Sequence, residues 1–333
     1  MSHSALALSD NRIRSYIVYN CPEMEGLTEK LVINATNVMG PRSFVRRQIT
    51  WSKFPNGMIN IFIHDIRDVR NRHVIFVASF SSIESMSNQL DAIYVLTRSN
   101  VASLTVVLPF WPVGTMERVD EEGQVATADV WAWRLSCLPM TAGGPTRLII
   151  YDIHALAERF FFHGGALPYF VSAIDIFLPV LIQEHKQAIA AGLKGIAITF
   201  PDQGAQKRFG KLFGDRFEQI ICAKVRDGDR RIVTIQEGDA ENHHCVIVDD
   251  LVRSGGTLIE CLRALKAKGA AKVSAYCTHA DFESGKEQRI INRADGAEFE
   301  KFWLTDSCPI AQSLDGKGPF VVLSLADHLY DHL

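Results

Sequence analysis

"HHCVIVDDLVRSGGTLIECLRALKAKGA", residues 243–270, contains an apolar run that ends in two adjacent carboxylates, Asp249 and Asp250. A Ser-Gly-Gly-Thr turn begins at Ser254, and apolar residues then recur with helical spacing at 258, 259, 262 and 265. This pattern predicts a buried strand, a tight loop and an amphipathic helix that packs on a sheet and ends near Gly269. Two carboxylates beside a glycine turn at the end of a buried strand indicate a ligand site.

The composition limits the class of protein. The chain has 333 residues, 47% of them apolar, which is enough for two domains with separate cores. We expect no membrane span and no secretory signal, because neither pattern occurs in the sequence. The formal net charge of −3 disfavours a general nucleic-acid or membrane binder. The seven cysteines are scattered without a CxxC pair, so we expect free thiols and a cytoplasmic location.

Short apolar runs rich in β-branched residues alternate with helical patterns. Continuous apolar strands joined by helices are typical of parallel sheets covered on both faces, so the pattern predicts an α/β fold. The predicted strands are 73–80, 103–110, 147–152, 195–202, 245–250 and 272–279, and the predicted helices are 86–98, 123–136, 177–192, 204–213 and 258–268.

An internal comparison suggests two similar halves. Shifted back by 171 positions, residues 243–277 fall on residues 72–106 without a gap, strand on strand and helix on helix. Ala78 and Ser79 then stand in place of Asp249 and Asp250. We therefore expect one carboxylate-bearing loop in the chain.

The loop after the strand has the chemistry of a sugar-phosphate site. A loop that leads into a helix N-terminus presents several backbone N–H groups in one direction and binds anions such as phosphate. Glycines in the loop allow close backbone approach. Carboxylates suit the vicinal hydroxyls of a sugar, or Mg²⁺, instead of the phosphate itself. A capping acid with a turn glycine is the simpler alternative, but the complete arrangement favours a ligand site.

The stretch "VIVDDLVRSGGT" resembles the phosphoribosyl pyrophosphate (PRPP) loop of type I phosphoribosyltransferases and PRPP synthetases. The resemblance implies that the two acids contact ribose hydroxyls and that the loop backbone binds the 5-phosphate. The residues it assigns to ribose 5-phosphate are Asp249, Asp250, Arg253, Ser254, Gly255, Gly256 and Thr257.

Two further segments resemble elements of PRPP synthetases. "IIYDIHALAERFFF" (149–162) is similar to the cation motif, which implies that His154 binds the Mg²⁺ of Mg-ATP with Asp152 nearby. "ITFPDQGAQKRFGKLFG" (198–214) is similar to the pyrophosphate loop, which implies Asp202 as a further metal ligand and Lys207 and Arg208 as ATP-binding residues. Taken alone, residues 149–162 also fit a solvated acid with a core histidine. Residues 198–214 taken alone also fit the charged first turn of a surface helix.

The catalytic cations are expected on a mobile arm. "ICAKVRDGDRRIV" (221–233) resembles the catalytic flexible loop of PRPP synthetases, which implies that Lys224 and Arg226 close over the triphosphate. Two such cations could stabilise charge that develops during phosphoryl transfer. A solvated hairpin is the simpler alternative.

The N-terminal half carries the expected base-binding residues, with departures from the common pattern. "SKFPNGMINIFI" (52–63) resembles the adenine loop, which implies that Phe54 and Asn56 bind ATP, although Met58 replaces an acid. In residues 108–130 the usual Arg-Gln pair is replaced by Thr115 and Met116, followed by Glu117 and Arg118 as ATP-binding candidates. His163 and Leu167 stand near two positions where the common form has acids.

Together these departures resemble the plant-type, class II branch of PRPP synthetases. The resemblance implies two tandem type I phosphoribosyltransferase-like domains, each a mostly parallel sheet flanked by helices. We expect the domains at 1–167 and 168–318, with 319–333 returning to the first. It also implies transfer of a diphosphoryl group from Mg-ATP to ribose 5-phosphate, with Mg²⁺ as cofactor, and self-association into a homo-oligomer.

Two other readings remain open. A nucleobase phosphoribosyltransferase shares the PRPP loop but gives no reason for the segments around His154 and Lys224. A regulatory subunit that has lost activity would explain the missing Arg-Gln pair, but not the retained loops.

Overall fold

The computed structural model describes residues 15–227, 230–296 and 298–333, and it describes the side chains of these residues except 224–232 and 295. The chain divides into two compact units. One runs from the start of the described residues to Ile150 and adds Ala155–Tyr169 and Leu329–Leu333. The other comprises Tyr151–His154 and Phe170–His328.

The first sheet has six strands in the order β2-β1-β5-β6-β7-β8. The pairings from β2 through β7 are parallel, as predicted from the continuous apolar runs. A separate antiparallel hairpin consists of β3 and β4. The elements are β1 (Tyr16–Asn20), α1 (Glu25–Met39), β2 (Phe44–Arg46), β3 (Ile49–Lys53), β4 (Ile59–Ile63), β5 (His73–Val77), α2 (Ile83–Thr97), β6 (Ser103–Val107), α3 (Thr127–Ser136), β7 (Thr146–Tyr151) and β8 (Ala166–Val171).

The second sheet has seven strands in the order β11-β10-β9-β12-β13-β14-β15. All its pairings are parallel except the hairpin of β10 with β11. The elements are α4 (Ile174–Ala190), β9 (Ile196–Phe200), α5 (Gln203–Phe213), β10 (Glu218–Asp227), β11 (Arg230–Glu237), β12 (His244–Val252), α6 (Gly256–Ala267), β13 (Lys272–Ala280), α7 (Gln288–Ile291), β14 (Phe302–Thr305), α8 (Ala311–Leu314), β15 (Phe320–Leu323) and α9 (Ala326–Tyr330).

The core of the second unit lies on both sides of its central strands. Every residue of β9 is buried, and so are the first five residues of β12. The face of α6 that carries Leu258, Leu262 and Leu265 is buried, which accounts for the helical spacing of these residues. Aromatic side chains fill much of the remaining space, and Phe177 stacks on Tyr276 with ring centroids 4.3 Å apart.

The two sheets share one topology. In each, the first strand of the parallel series lies between the second and the third, and later strands follow in chain order. His73 and His244 begin the corresponding strands β5 and β12, and 244 minus 73 gives the shift of 171 found in the sequence. In such sheets the strand order reverses between the first and third strands, and the crevice at their carboxyl ends is the usual ligand site.

The C-terminal segment differs from the prediction. Residues 319–333 were expected to return to the first domain, but β15 is an edge strand of the second sheet and pairs with β14. Only Leu329–Leu333 group with the first unit. The prediction also overlooked that Tyr151–His154 group with the second unit.

Within the described residues, no helix combines the length and apolarity that a bilayer crossing requires. All seven cysteines are free thiols, as expected from their scattered spacing.

Candidate active site

Asp249 and Asp250 lie at the carboxyl end of β12, beside the point where the strand order of the second sheet reverses. The backbone N–H of Asp250 donates to Oδ1 of Asp249 at 3.0 Å, and the N–H of Leu251 donates to Oδ1 of Asp250 at 3.0 Å. Asp250 is buried, with 8% of its surface exposed, whereas Asp249 is half-buried. The strand therefore holds both carboxylates in fixed orientations at the crevice.

The two carboxylates have different proton affinities. Although Asp249 as a residue is half-buried, its carboxyl is largely shielded from water, and this desolvation, reinforced by the adjacent Asp250, raises the pKa of Asp249 well above its usual range. Burial would also raise the pKa of Asp250, but the hydrogen bond and charge interaction with His154, together with the hydrogen bond to Asp249, outweigh burial, and the pKa of Asp250 is lowered. Asp250 is thus the carboxylate that keeps its negative charge, while Asp249 holds a proton more readily.

His154 brings the predicted cation motif to the predicted sugar-phosphate loop. Its Nδ1 lies 2.6 Å from Oδ2 of Asp250, a contact between residues 96 positions apart in sequence. The His154 side chain is 43% exposed. A histidine whose one ring nitrogen bonds a carboxylate is oriented as metal-ligating histidines usually are. The two predicted segments therefore form one site within the second unit.

The loop from Arg253 to Thr257 leads directly into α6. Gly255 is the helix N-cap and has φ of 72°, a left-handed conformation that favours glycine. A Cβ atom at this position would also approach Cδ1 of Ile290 to 3.2 Å. Since glycine has no side chain to cap the helix, the backbone N–H groups of its first turn are suited to an anionic ligand.

Two residues that the sequence analysis missed support this loop. Nε of Arg253 donates to Asp281 at 2.8 Å, so this predicted phosphate-binding side chain is engaged by a neighbouring acid. Nη1 of Arg289 donates to the carbonyl oxygen of Ser254 at 3.2 Å. Neither Asp281 nor Arg289 lies in a recognisable motif, and only the folded chain brings them to the loop.

Asp202 follows the neighbouring strand β9. It is the N-cap of α5, and its Oδ1 accepts a hydrogen bond from the N–H of Ala205 at 3.0 Å. Asp202 is half-buried and Lys207 is exposed. Arg208 is turned inward, with a side chain only 17% exposed and Nη2 3.7 Å from Oδ1 of Asp152. Lys207 is therefore better placed than Arg208 for a mobile triphosphate.

Asp152 does not fit the predicted role of metal ligand. Its side chain is fully buried, and its two oxygens accept three hydrogen bonds. Oδ1 accepts from Oγ of Ser172 at 2.7 Å, and Oδ2 accepts from the N–H of Ala173 at 2.9 Å and from Oγ1 of Thr278 at 2.6 Å. The backbone of Asp152 has φ of 33°, a left-handed value that few non-glycine residues adopt. The carboxylate thus fixes the backbone at Asp152 within the second unit.

Magnesium would find donors of the correct type at this site. His154 and Asp202 are accessible and lie in the unit that carries the loop, whereas the buried Asp152 is not available. Among the described side chains, no group of three or more His, Cys, Asp or Glu residues is arranged to hold a metal ion. This donor set fits Mg²⁺, which is commonly bound by few protein ligands together with substrate phosphates and water.

The predicted catalytic residues Lys224 and Arg226 lie on β10, in the hairpin with β11. Their backbone partners in the register are Val233 and Arg231. Their side chains lie outside the described part of the structure, so their roles stay a prediction.

The first unit carries the other predicted ATP-binding residues. Phe54 is 51% exposed at the tip of the β3–β4 hairpin. Asn56 is exposed too, and its Oδ1 accepts a hydrogen bond from the N–H of Met58 at 3.1 Å, which stabilises the turn. Glu117 is paired with Arg118 at 2.8 Å, and the Arg118 side chain is 76% exposed.

The first unit lacks the two acids at the corresponding strand end. Gln89 of α2 accepts a hydrogen bond from the N–H of Ser79 at 3.0 Å and donates to its carbonyl oxygen at 2.6 Å. Both Gln89 and Ser79 are buried. The Gln89 side chain thus bonds the backbone N–H and carbonyl groups of Ser79. This arrangement agrees with the expectation of one carboxylate-bearing loop in the chain.

The part of the chain that carries the site is similar to known proteins. The family described as "Phosphoribosyl transferase domain" matches residues 215–299, which include β12, the loop and α6. "Ribose-phosphate pyrophosphokinase 4" of Oryza sativa subsp. japonica is 47% identical to the chain over 320 residues, or 95% of this chain and 94% of that protein. The chain belongs to the ribose-phosphate pyrophosphokinase family. Among other members, isoform 4 of Arabidopsis thaliana is 44% identical over 319 residues and covers 95% of this chain and 91% of that protein.

Bacterial members of the ribose-phosphate pyrophosphokinase family are more distant. The protein of Vibrio cholerae serotype O1 is 28% identical over 287 residues, covering 84% of this chain and 85% of that protein. The higher identity to the plant proteins agrees with the predicted plant-type branch. The crystal structure of phosphoribosylpyrophosphate synthetase from Mycobacterium smegmatis has a TM-score of 0.75 at 21% identity and covers 96% of this chain and 97% of that one. This likeness confirms the predicted fold class.

Proposed function

We propose that this member of the ribose-phosphate pyrophosphokinase family transfers the β,γ-diphosphoryl group of Mg-ATP to the 1-hydroxyl of ribose 5-phosphate, giving PRPP and AMP. The observation that carries the proposal is the 2.6 Å contact between His154 and Asp250. It joins the predicted donor-side histidine to the carboxylate of the acceptor loop, so one crevice can hold both substrates.

Ribose 5-phosphate would bind at the end of β12. The 5-phosphate would lie on the backbone N–H groups at the start of α6, where the helix dipole favours an anion. Asp249 and Asp250 would accept hydrogen bonds from the vicinal ribose hydroxyls. Hydrogen bonds to ionised groups are roughly twice as strong as neutral ones, so each of the two acids contributes most when it is ionised, as Asp250 is and as Asp249 would be once a ligand cation lies beside it.

The triphosphate would lie beside His154, Asp202 and Lys207. His154 and Asp202 would hold Mg²⁺, with Nδ1 of His154 kept in place by Asp250. When bound, Mg²⁺ would neutralise part of the negative charge of the triphosphate. Lys207, which is exposed on α5, would contact the same triphosphate through its ammonium group.

The transfer itself requires alignment and charge stabilisation. The 1-hydroxyl oxygen attacks the β-phosphorus, its proton passes to solvent water, and the bond from the β-phosphorus to the α,β-bridging oxygen breaks to release AMP. Lys224 and Arg226 would close over the triphosphate and stabilise the charge that develops on the β-phosphoryl group. The proposal requires no covalent intermediate with the protein.

Asp152 would act as a positioning residue for His154. Only Ile153 separates Asp152 from His154, and the hydrogen bonds of the buried carboxylate to Ser172, Ala173 and Thr278 fix the segment that carries the ring. This role replaces the metal ligation predicted for Asp152 from its resemblance to the cation motif.

The remaining assignments concern the donor base, assembly and location. Phe54 and Asn56 would hold adenine, and Glu117 and Arg118 would line the same site. Large apolar side chains exposed on the hairpin, Phe54 together with Met58 at 64% and Phe62 at 61%, support self-association into a homo-oligomer. The seven free thiols support a cytoplasmic location.

The product distribution tests this function. The purified chain alone, given ATP, Mg²⁺ and ribose 5-phosphate, should release AMP and PRPP in equal amounts. A kinase that moves one phosphoryl group would release ADP instead, and an inactive regulatory subunit would release neither product. A nucleobase phosphoribosyltransferase would instead release pyrophosphate from PRPP and a base.

A further inference from the structure

Two buried thiols lie side by side in the second unit. Cys222 is on β10 and Cys261 is on α6, and both are fully buried. The Sγ of Cys261 donates to the Sγ of Cys222 across 3.3 Å. Sulfur atoms in a disulfide are about 2.05 Å apart, so an approach of roughly 1.3 Å would join this pair.

The two thiols are chemically unequal. The hydrogen bond from Cys261 lowers the pKa of Cys222. The same contact, together with burial, raises the pKa of Cys261 well above its usual range. Cys222 is therefore the sulfur with more thiolate character, and the thiolate is the reactive form of cysteine.

The pair connects two elements that serve the proposed site. Cys222 precedes Lys224 by two residues on the same strand, and Cys261 follows Thr257 by four residues on α6. A covalent bond here would join β10, which carries Lys224 and Arg226 and is called the catalytic arm, to α6, which follows the loop from Asp249 to Thr257.

We propose that Cys222 and Cys261 form a redox-sensitive pair whose reversible disulfide restrains the arm and slows turnover. The effect on turnover rests on the proposed function, whereas the disulfide itself does not. A hydroperoxide is the oxidant. It converts the Cys222 thiol to a sulfenic acid and releases one molecule of water or alcohol. The Cys261 thiol then attacks that sulfur, forms the S–S bond and releases water. The two thiols together lose two electrons and two protons, and a dithiol reductant restores them.

Peptide mapping after peroxide treatment tests the bond. The wild-type chain would be exposed to hydrogen peroxide, alkylated under denaturing conditions without reductant, digested and analysed by mass spectrometry. We expect a crosslink between the peptides of Cys222 and Cys261 that dithiothreitol removes. Of the seven free thiols, two would be lost to this bond. Full alkylation of Cys222 and Cys261 after peroxide, or a bond from either one to Cys245, would overturn the proposal.

Turnover measured on the same samples tests the consequence. We expect peroxide to lower the rate of AMP formation roughly fivefold or more, and dithiothreitol to restore it, because the bond would restrain the strand that carries Lys224 and loop closure over a substrate can limit turnover. Cys261→Ala should remove both the crosslink and the loss of turnover. Cys137→Ser, which alters an exposed thiol, should leave both unchanged.

The outcomes separate the two claims. If Cys261→Ala does not fold, the wild-type map still decides whether the disulfide forms. A crosslink without any change in turnover would refute the restraint of the arm. A crosslink in a chain that forms no AMP even when reduced would refute the proposed function and leave the redox pair intact.

Discussion

The substitution Asp152→Asn tests whether Asp152 positions His154 or binds the metal ion itself. The substitution replaces one carboxylate oxygen by an NH₂ group in a fully buried position. Both carboxylate oxygens accept hydrogen bonds, so the new NH₂ group meets a donor in either orientation of the amide. In one orientation that donor is Ser172, and in the other the donors are Ala173 and Thr278. It also removes the negative charge 3.7 Å from Nη2 of Arg208.

The magnitude follows from these contacts. Hydrogen bonds to a charged acceptor are each worth about 1.5 to 3 kcal/mol, and breaking a buried pair from one side costs about 3 to 5 kcal/mol. Since the effects share one carboxylate and do not add fully, we expect the free energy of unfolding to fall by about 3 to 5 kcal/mol. For a unit of this size the melting temperature should fall by roughly 6 °C or more.

The assay compares Asp152→Asn with His154→Ala. Urea unfolding and Mn²⁺ binding in the presence of ATP would be measured on both variants and on the wild type. His154 is 43% exposed, so His154→Ala should weaken Mn²⁺ binding and, although it removes a partner of Asp250, should lower stability less than Asp152→Asn does. At a temperature where Asp152→Asn is folded, it should still bind ribose 5-phosphate. The reasoning is refuted if Asp152→Asn has unchanged stability but loses Mn²⁺ affinity as His154→Ala does.

Two further predictions concern the arm and the pH dependence of stability. Lys224→Ala or Arg226→Ala should lower kcat by about 10² to 10³, with a much smaller change in the affinity for ribose 5-phosphate, and steady-state kinetics with near-normal turnover would exclude the assigned role. Burial lowers the pKa of His244 from 6.5 to about 4, so only the unfolded chain takes up this proton as the pH falls from 6.5 towards 4. The free energy of unfolding should therefore fall by about 2 kcal/mol by pH 5 relative to His244→Gln, as measured by denaturant titration, and equal pH dependence of the two proteins would contradict this.

Much of the second unit could be predicted because its strands are continuous apolar runs. β9 and β12 are buried on both faces, so their sequences stand out without any knowledge of their partners. The list of predicted strands lacks β1, β2, β3, β4, β8, β10, β11, β14 and β15, and the shortest of these are β2, β14 and β15. Three or four residues carry too little periodicity, and their neighbours in the sheet determine their conformation.

The site was predictable in its local parts and not in its long-range contacts. The loop from Asp249 to Thr257 is one contiguous segment, so its glycine turn and helix start could be read directly. The inward orientation of Asp152 depends on Ser172 and on Thr278, which is 126 residues away. The bond between His154 and Asp250 likewise spans separate segments, and no local pattern encodes it.

The central claim is that the end of β12 holds ribose 5-phosphate, and calorimetric titration of this sugar tests it most directly. The matched control is Asp239→Asn, which alters an exposed acid at the opposite end of the strand, where it accepts a hydrogen bond from Lys194 at 2.8 Å. We expect saturable binding to the wild type and to Asp239→Asn, and at least about tenfold weaker binding to Asp249→Asn, because a hydroxyl–carboxylate hydrogen bond contributes about 1.5 kcal/mol or more. Equal affinity of Asp249→Asn and the wild type would contradict the account.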